Sequence, residues 1–417
     1  MKTFGVFHRD RNTFTFAGEP LAFHTDHYNC FLQKEIEELQ RFIDAEKILV
    51  NSAQVLAFTQ FTALFKKHDK WDIEKRKKIV EDYFSYCGFG KINIHNLQPK
   101  GGYVETDKEH YGLAWKRIHG ERSSEQNGVA YFLMGFLCGA TEAVHDIALG
   151  TFDAKQITCI SKGDAKTRID VFRGLRKKLQ TSVGEGQPQV FESQPSSSHT
   201  SVNYTAIMDS ILGDTVESIE DTGLIEKYGG NVTRHYANYS NLVCLRVLIE
   251  LEKNYKREGL AKAKSIVIKS SQMSAFHLIG NLVGSKEWEQ HISPTVNSTE
   301  DQLHGILAFI NTLGWGKWEA EELNSSARTT FSIVSSTESN AFLKMVGKTK
   351  APVCFFIEGM VGAIMNMVYN TKLTPNMELN KELFESIFKA DNRYVVVEAK
   401  TRMMGEESDR FVVERKS

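Results

Sequence analysis

With 417 residues, the chain is long enough for two domains of ordinary size. It is 41% hydrophobic and 25% charged, and its net charge of −1 lacks the basic excess that is typical of nucleic-acid-binding proteins. No apolar run reaches the length of a membrane span, and the first ten residues lack the apolar core of a secretory signal. Six scattered cysteines without a Cys-x-x-Cys pair favour a reducing compartment. We therefore expect a cytoplasmic protein that neither binds nucleic acid nor spans a membrane.

Hydrophobic spacing predicts the elements of the first half. Apolar residues recur at three- and four-residue intervals across 31–90, which indicates helices. Alternation over 92–97 suggests a strand, and a second strand follows a glycine turn at 103–104. Residues 128–148 are predicted to form one buried helix. The segment 154–172 is predicted to form a closing hairpin with its turn at a Lys-Gly-Asp sequence.

Three motifs keep their order in both halves of the chain. They are a Gly-aromatic-Gly-Lys motif (88–91 and 314–317), an apolar segment with small residues (131–140 and 354–363) and a Gly-acidic-x3-Arg motif (163–168 and 405–410). Weaker echoes lie upstream, where His24 and Tyr28 match His235 and Tyr239. Self-similarity at a long period indicates a repeated structural unit.

The second half repeats the plan of the first. We expect helices across 240–312 and at 352–369, strands near 317–334, and a closing hairpin over 393–414.

The predicted fold class is α+β, with two tandem copies of a helix bundle packed on a small, mainly antiparallel sheet and related by a pseudo-two-fold axis. The first domain is assigned to 1–181 and the second, diverged copy to 206–417. Residues 182–205 between them are rich in Ser, Gly, Gln and Pro, which is linker composition.

These residues carry a resemblance to a known family. The run 19–25, with the helix predicted after it, resembles the start of the sensor domain of aromatic-responsive transcriptional activators, which detect phenols or xylenes. The segment 88–172 resembles the 4-vinyl reductase-type domain of the same sensors. Its marks are Gly88-x-Gly90, Gly135-x3-Gly139 and the ending Gln156-x2-Cys159-x3-Gly163-x4-Arg168. No Gly-x4-Gly-Lys-Ser/Thr sequence exists for an ATPase module, so a complete activator is excluded.

The resemblance implies an enclosed apolar pocket for a small, often aromatic ligand. Tyr131 holds the family's lining position in the first copy and Cys354 holds it in the second. The family's polar strand residue is matched only by Gly102 or Tyr103, which is a departure. An aromatic lining with a few polar groups is the usual make-up of a ligand site. The predicted ligand-binding residues are Tyr103, Trp115 and Tyr131 in the first copy and Trp315 in the second.

The resemblance also implies a structural zinc near the closing hairpin, and here its ligands are incomplete. Cys159 matches one ligand, but Gln156 and Thr167 stand at two others. In the second copy Glu398 is kept, while Thr401 and Asp409 replace the cysteines. Structural zinc needs four good ligands, so we expect that this zinc is lost.

One other cluster contains several side chains that bind metals. His24, Asp26, His27 and Cys30 lie within seven residues and would converge at a helix start. The alternative is an ordinary helix N-terminus that Thr25 or Asp26 caps. No cofactor is predicted, and a metal or haem at this cluster stays as the alternative.

Three functions compete. The leading one is a stand-alone sensor or carrier that binds a small hydrophobic or aromatic molecule, with its halves packed as a pseudo-dimer and a protein partner or a homodimer as further expectations. The second is a reductase or a metal- or haem-assisted enzyme acting on a conjugated substrate, although no dinucleotide fingerprint follows a strand. The third is a scaffold or adaptor protein.

Overall fold

The computed structural model describes residues 4–179, 201–323 and 328–416. Within these ranges the protein is α+β, as predicted, with helices packed on small antiparallel sheets. The predicted linker 182–205 lies mostly outside the described residues. The boundaries 1–181 and 206–417 therefore stay a prediction.

The first half begins with short strands and continues with helices. Its strands are β1 (Val6–His8), β2 (Thr13–Phe16), β3 (Glu19–Thr25), β4 (Gly101–Thr106), β5 (Phe152–Thr158) and β6 (Thr167–Arg173). Its helices are α1 (Asp26–Glu37), α2 (Ala45–Lys67), α3 (Ile73–Tyr86), α4 (His110–His119) and α5 (Tyr131–Val144). Side-chain oxygens of Thr25, Asp44 and Asp72 accept backbone N–H groups at the starts of α1, α2 and α3. These caps fix where each helix starts.

The prediction of a strand at 92–97 is wrong. Its backbone is held by side chains and not by a neighbouring strand: the Ile94 N–H donates to Glu81, and the His95 carbonyl accepts from Lys77. The segment therefore follows α3 as a loop, because the helix supplies the partners that a strand would otherwise need.

The second half follows the same order and adds a long helix. Its strands are β7 (Ile225–Lys227), β8 (Gly230–Tyr236), β9 (Lys317–Glu322), β10 (Arg328–Val334), β11 (Tyr394–Lys400) and β12 (Asp409–Arg415). Its helices are α6 (Tyr204–Gly213), α7 (Ala237–Val283), α8 (Thr299–Ile310), α9 (Thr337–Val346), α10 (Phe355–Tyr369) and α11 (Lys381–Phe388). Lys256 interrupts α7 with φ 52° and ψ −130°, so the element consists of two helical segments joined by a kink.

Each half closes on a hairpin, as the sequence predicts. The first sheet has the order β4-β6-β5 and the other β11-β12-β10-β9, all antiparallel. In both halves a glycine-containing helix, α5 or α10, packs beside its sheet and against a longer helix, α2 or α7. This shared order is a structural correspondence, and the common 4-vinyl reductase origin of the two halves stays a prediction.

A third sheet joins the two halves, and the sequence predictions missed it. Its order is β1-β2-β3-β8-β7, and β3 pairs antiparallel with β8, with Leu21 opposite Tyr236 and His24 opposite Thr233. The halves also exchange core residues. Phe23 of β3 lies in the apolar core of the second half, and Tyr236 of β8 lies in that of the first.

One helix of the described chain is long and apolar enough to span a membrane. This helix is α2, and 78% of its most apolar window is buried inside the protein. It packs as a core helix against α5, so no membrane span is indicated.

Candidate functional site

The predicted ligand residue Tyr103 faces away from the core. Its side chain is 40% exposed on β4, and the Arg168 guanidinium lies 4.4 Å from its ring centre. The next residue, Val104, is buried. Since successive side chains of a strand point to opposite faces, Tyr103 lies on the outer face of the sheet. Tyr103 lines none of the cavities described below, and its role in ligand binding stays a prediction.

The other three predicted ligand residues lie in separate places. Trp115 is buried in α4 under the Arg122 guanidinium, 4.5 Å from the ring centre. Tyr131 starts α5 and borders an open groove of about 560 Å³. Trp315 and Trp318 border a different cavity. The space that the centre of a water molecule can occupy in it is only about 20 Å³. That space fits about one water. The three first-half residues therefore lie apart from one another, Trp315 borders a separate cavity in the second half, and their roles in ligand binding stay predictions.

The side chains of the proposed metal cluster do not converge on one point in the structure. His24 points toward His235, with ring centres 5.6 Å apart. Asp26 accepts a hydrogen bond from the neighbouring His27 ring and pairs with Arg117. The His27 ring stacks instead on His277 of α7, 3.6 Å away. In the described part of the chain no three His, Cys, Asp or Glu side chains are placed to hold a metal ion. Thr25 caps α1, so the segment is the helix start that was the alternative.

The residues at the zinc positions have other partners. In the first half the Cys159 sulfur lies 3.1 Å from the Ser161 hydroxyl, and the Gln156 carbonyl oxygen accepts the Ala130 N–H. Among their second-half counterparts, Asp409 accepts hydrogen bonds from Ser339 and the Arg402 N–H, while Glu398 pairs with Arg328 and Lys400. Loss of the zinc stays a prediction.

Three buried histidines lie where the two halves meet. His110 Nε2 is 3.1 Å from the Asn29 amide, which also donates to Thr233, and His235 Nε2 is 3.0 Å from the Tyr111 hydroxyl. Burial lowers the pKa of His24 and of His110 to about 3. Burial also lowers the pKa of His235 well below its ordinary value. All three rings are therefore neutral at pH 7, and they act as hydrogen-bonding parts of the interface.

A ligand-sized cavity lies against the central sheet. It leaves about 440 Å³ of space, within the range of small-molecule sites. We call it the aromatic groove and define it by Phe7, Phe14, Phe23, Tyr86 and Tyr228 around Arg234.

Four of the aromatic rings form a continuous wall. Phe7 and Phe14 have ring centres 4.7 Å apart, Phe14 and Phe23 are 5.8 Å apart, and Phe23 and Tyr228 are 5.9 Å apart. These separations are typical of favourable tilted and edge-to-face contacts. The wall offers ring faces and edges to a planar molecule.

Arg234 supplies a buried positive charge at the aromatic groove. The residue, on β8, is only 6% exposed. Its Nη1 donates to the Tyr86 carbonyl at 2.6 Å and its Nη2 to the Val216 carbonyl. The guanidinium lies 4.2 Å from the Tyr86 ring centre and 5.3 Å from that of Phe23. Burial raises the pKa of Tyr86 and of Tyr228, and the positive charge of Arg234 opposes that rise at both.

The two halves build the aromatic groove together. Strands β1–β3 and the end of α3 supply one side, and α6, the loop 214–217 and β8 supply the other. Sequence reasoning missed this site because its residues come from segments that are about 200 positions apart. Only the alternation of Phe14 and Phe16 around a polar Thr15 could have indicated a ring-lined sheet face.

Comparisons with known proteins include a loose structural likeness. No protein-family model matches the chain, and no curated protein matches it. Among solved structures, the phenol-responsive sensory domain of the transcription activator PoxR, with phenol, is similar at a TM-score of 0.38 and 11% identity. The match covers 51% of this chain and 90% of that one. This overlap is too loose to support a structural argument, so a function for the aromatic groove has to be argued from its own residues.

Proposed function

We propose that the protein binds a small aromatic molecule in the aromatic groove and acts as a sensor or carrier. One observation carries the proposal: about 440 Å³ of space is walled by aromatic rings and contains a buried guanidinium. Sites that bind small molecules combine an apolar lining with a few placed polar groups. The groove is open on one side, unlike the enclosed pocket that the resemblance implies.

The position of the groove favours a sensor. Phe23 and Tyr86 belong to the first half, whereas Tyr228 and Arg234 belong to the second. A bound ring would contact both halves and stabilise their shared sheet. Binding would therefore favour one arrangement of the halves over others, which could be passed on to a protein partner. The proposal requires no cofactor, and a cytoplasmic location stays an expectation.

Filling the groove tests the proposal. Gly213 ends α6, borders the groove, and has no atom within 4 Å of where a Cβ would lie. We expect Gly213→Trp to occupy the space and to weaken binding of aromatic probes at least about tenfold, a loss of about 1.4 kcal/mol. The matched control, Gly213→Ala, should bind as the wild type does. Titration calorimetry with phenol, benzoate and indole measures both.

Two results would overturn the proposal. One is that none of the three probes binds the wild-type protein at millimolar concentration. The other is that Gly213→Trp binds them as tightly as Gly213→Ala does.

A further inference from the structure

We propose that the aromatic groove selects an aromatic anion, specifically a ring that carries a carboxylate. The inference rests on the proposed function and adds the chemical class of the ligand. It comes from the surroundings of Arg234, whose charge the protein itself leaves unbalanced.

Arg234 is a buried cation without an acidic partner. Among the described residues no carboxylate oxygen lies within 4 Å of its guanidinium nitrogens. Its two hydrogen-bond acceptors, the carbonyls of Tyr86 and Val216, are neutral. A buried charge is costly unless it is paired. A ligand carboxylate would provide the counter-charge that the folded chain does not.

The guanidinium has donors left for such a ligand. An arginine carries five N–H groups in one plane, and the two carbonyls of Tyr86 and Val216 take one from each Nη. The Tyr86 and Phe23 rings lie over the guanidinium. The in-plane N–H edge is therefore the part that can bind a carboxylate, and arginine binds carboxylates through that edge.

Two acids, Asp214 and Glu217, line the groove, and neither of them pairs with Arg234. Asp209 pairs with Arg9, and Asp214 lies 3.1 Å from His291 and 3.8 Å from Lys227. Glu217 is exposed to solvent, where its field is screened. None of them forms an ion pair with Arg234, so among the described residues the guanidinium has no counter-charge in direct contact.

This arrangement orients the ligand. The apolar ring would lie along the wall of Phe14, Phe23 and Tyr228, and its carboxylate would face Arg234. A hydrogen bond to a charged group strengthens binding more than one between neutral groups. We therefore expect benzoate to bind about 10- to 100-fold more tightly than benzamide, its neutral isostere.

The test compares benzoate, benzamide and phenol by titration calorimetry on the full chain. The variant Arg234→Gln should bind benzoate and benzamide equally. Arg234→Lys keeps the charge but loses the planar fork, so it should retain part of the preference. Arg168→Gln is the matched control, because Arg168 also lies over a tyrosine ring, at Tyr103, but outside the groove. It should behave as the wild type does.

The outcomes separate the two proposals. Equal binding of benzoate and benzamide to the wild type overturns the anion preference and leaves aromatic binding intact. Binding of none of the three probes overturns both. A benzoate preference that persists in a folded Arg234→Gln overturns the role of Arg234. If Arg234→Gln does not fold, the wild-type preference and its reduction in Arg234→Lys decide the question.

Discussion

Glu142 and Asn366 occupy the same place in the two halves. Glu142 accepts the backbone N–H groups of Thr151 and Phe152 at the start of β5. Asn366 bonds both the N–H and the carbonyl of Tyr394 at the start of β11. One side chain near the end of each apolar helix thus fixes the next strand. The two residues are 224 positions apart in the sequence. The first residues of the two helices, Tyr131 and Phe355, are separated by the same number, so the counterpart of Tyr131 is Phe355 and not Cys354 as expected.

Removing the Glu142 carboxyl should cost more than neutralising it. Burial raises the pKa of Glu142 to about 7, so the group is substantially protonated at neutral pH. Glu142→Gln keeps an acceptor for the two N–H groups and should lower the free energy of unfolding only slightly. Glu142→Ala leaves the buried Phe152 N–H and the part-buried Thr151 N–H unpaired, and a buried donor without a partner costs about 1–3 kcal/mol. Urea denaturation at pH 7 measures both variants, and equal losses would contradict the assigned role.

The helices show how glycines set the packing distance. A Cβ built on Gly135 of α5 would lie 2.0 Å from the Val50 carbonyl of α2, so the two backbones touch. A Cβ on Gly362 of α10 would lie 3.8 Å from its nearest neighbour, which is ordinary contact.

Alanine substitutions at these two glycines should therefore have different effects on the free energy of unfolding. Gly135→Ala forces α2 and α5 apart, and overpacking of this kind costs about 1–3 kcal/mol. Gly362→Ala should be neutral or stabilising, since alanine favours a helix more than glycine does. Thermal unfolding of the two variants tests the contrast. Comparable destabilisation by both would show that close approach is not what Gly135 provides.

Local elements could be predicted from the sequence, whereas contacts between distant segments could not. The hairpins β5–β6 and β11–β12 are signalled by alternation and a glycine turn within about twenty residues. The pairing of β3 with β8 joins residues more than 200 positions apart, and no local pattern encodes it. Arg234 illustrates the consequence: its sequence context is ordinary, and its burial depends on that distant pairing. The family resemblance suggests an aromatic ligand, whereas the groove that we propose for it could not be inferred from the sequence.

On the scale of the whole molecule, buried ionisable groups set the pH of greatest stability. Burial raises the pKa of four carboxyl groups in the folded protein, to about 7 or 8, whereas they ionise near pH 4.5 when unfolded. The folded state then holds more protons than the unfolded state across this window, so these groups destabilise the protein as pH rises. The four are Glu19, Glu109, Glu142 and Glu338.

The buried histidines act in the opposite direction below pH 6.5. Their pKa values are lowered in the folded state, so the unfolded state binds more protons and stability falls as pH falls. Those with pKa values of about 2 to 4 are His24, His27, His110 and His277.

Stability should therefore be greatest near pH 6.5 and should decline toward pH 8.5. Above pH 6.5 the histidines are mostly neutral in both states, so the carboxyl effect acts alone. Urea midpoints between pH 5 and 8.5 measure the curve. Glu338→Gln should flatten its alkaline side, because burial raises the pKa of Glu338 to about 8. Stability that keeps rising to pH 8.5 would contradict this account.

The two halves share one sheet, exchange core residues and together form the aromatic groove. The central claim is that this groove is where the protein binds an aromatic molecule. The most direct test is a crystal structure determined in the presence of saturating benzoate. We predict ring density along Phe14, Phe23 and Tyr228, with the carboxylate within hydrogen-bonding distance of Arg234. Density at another site, such as beside Trp315, with the groove occupied only by water, would contradict the claim.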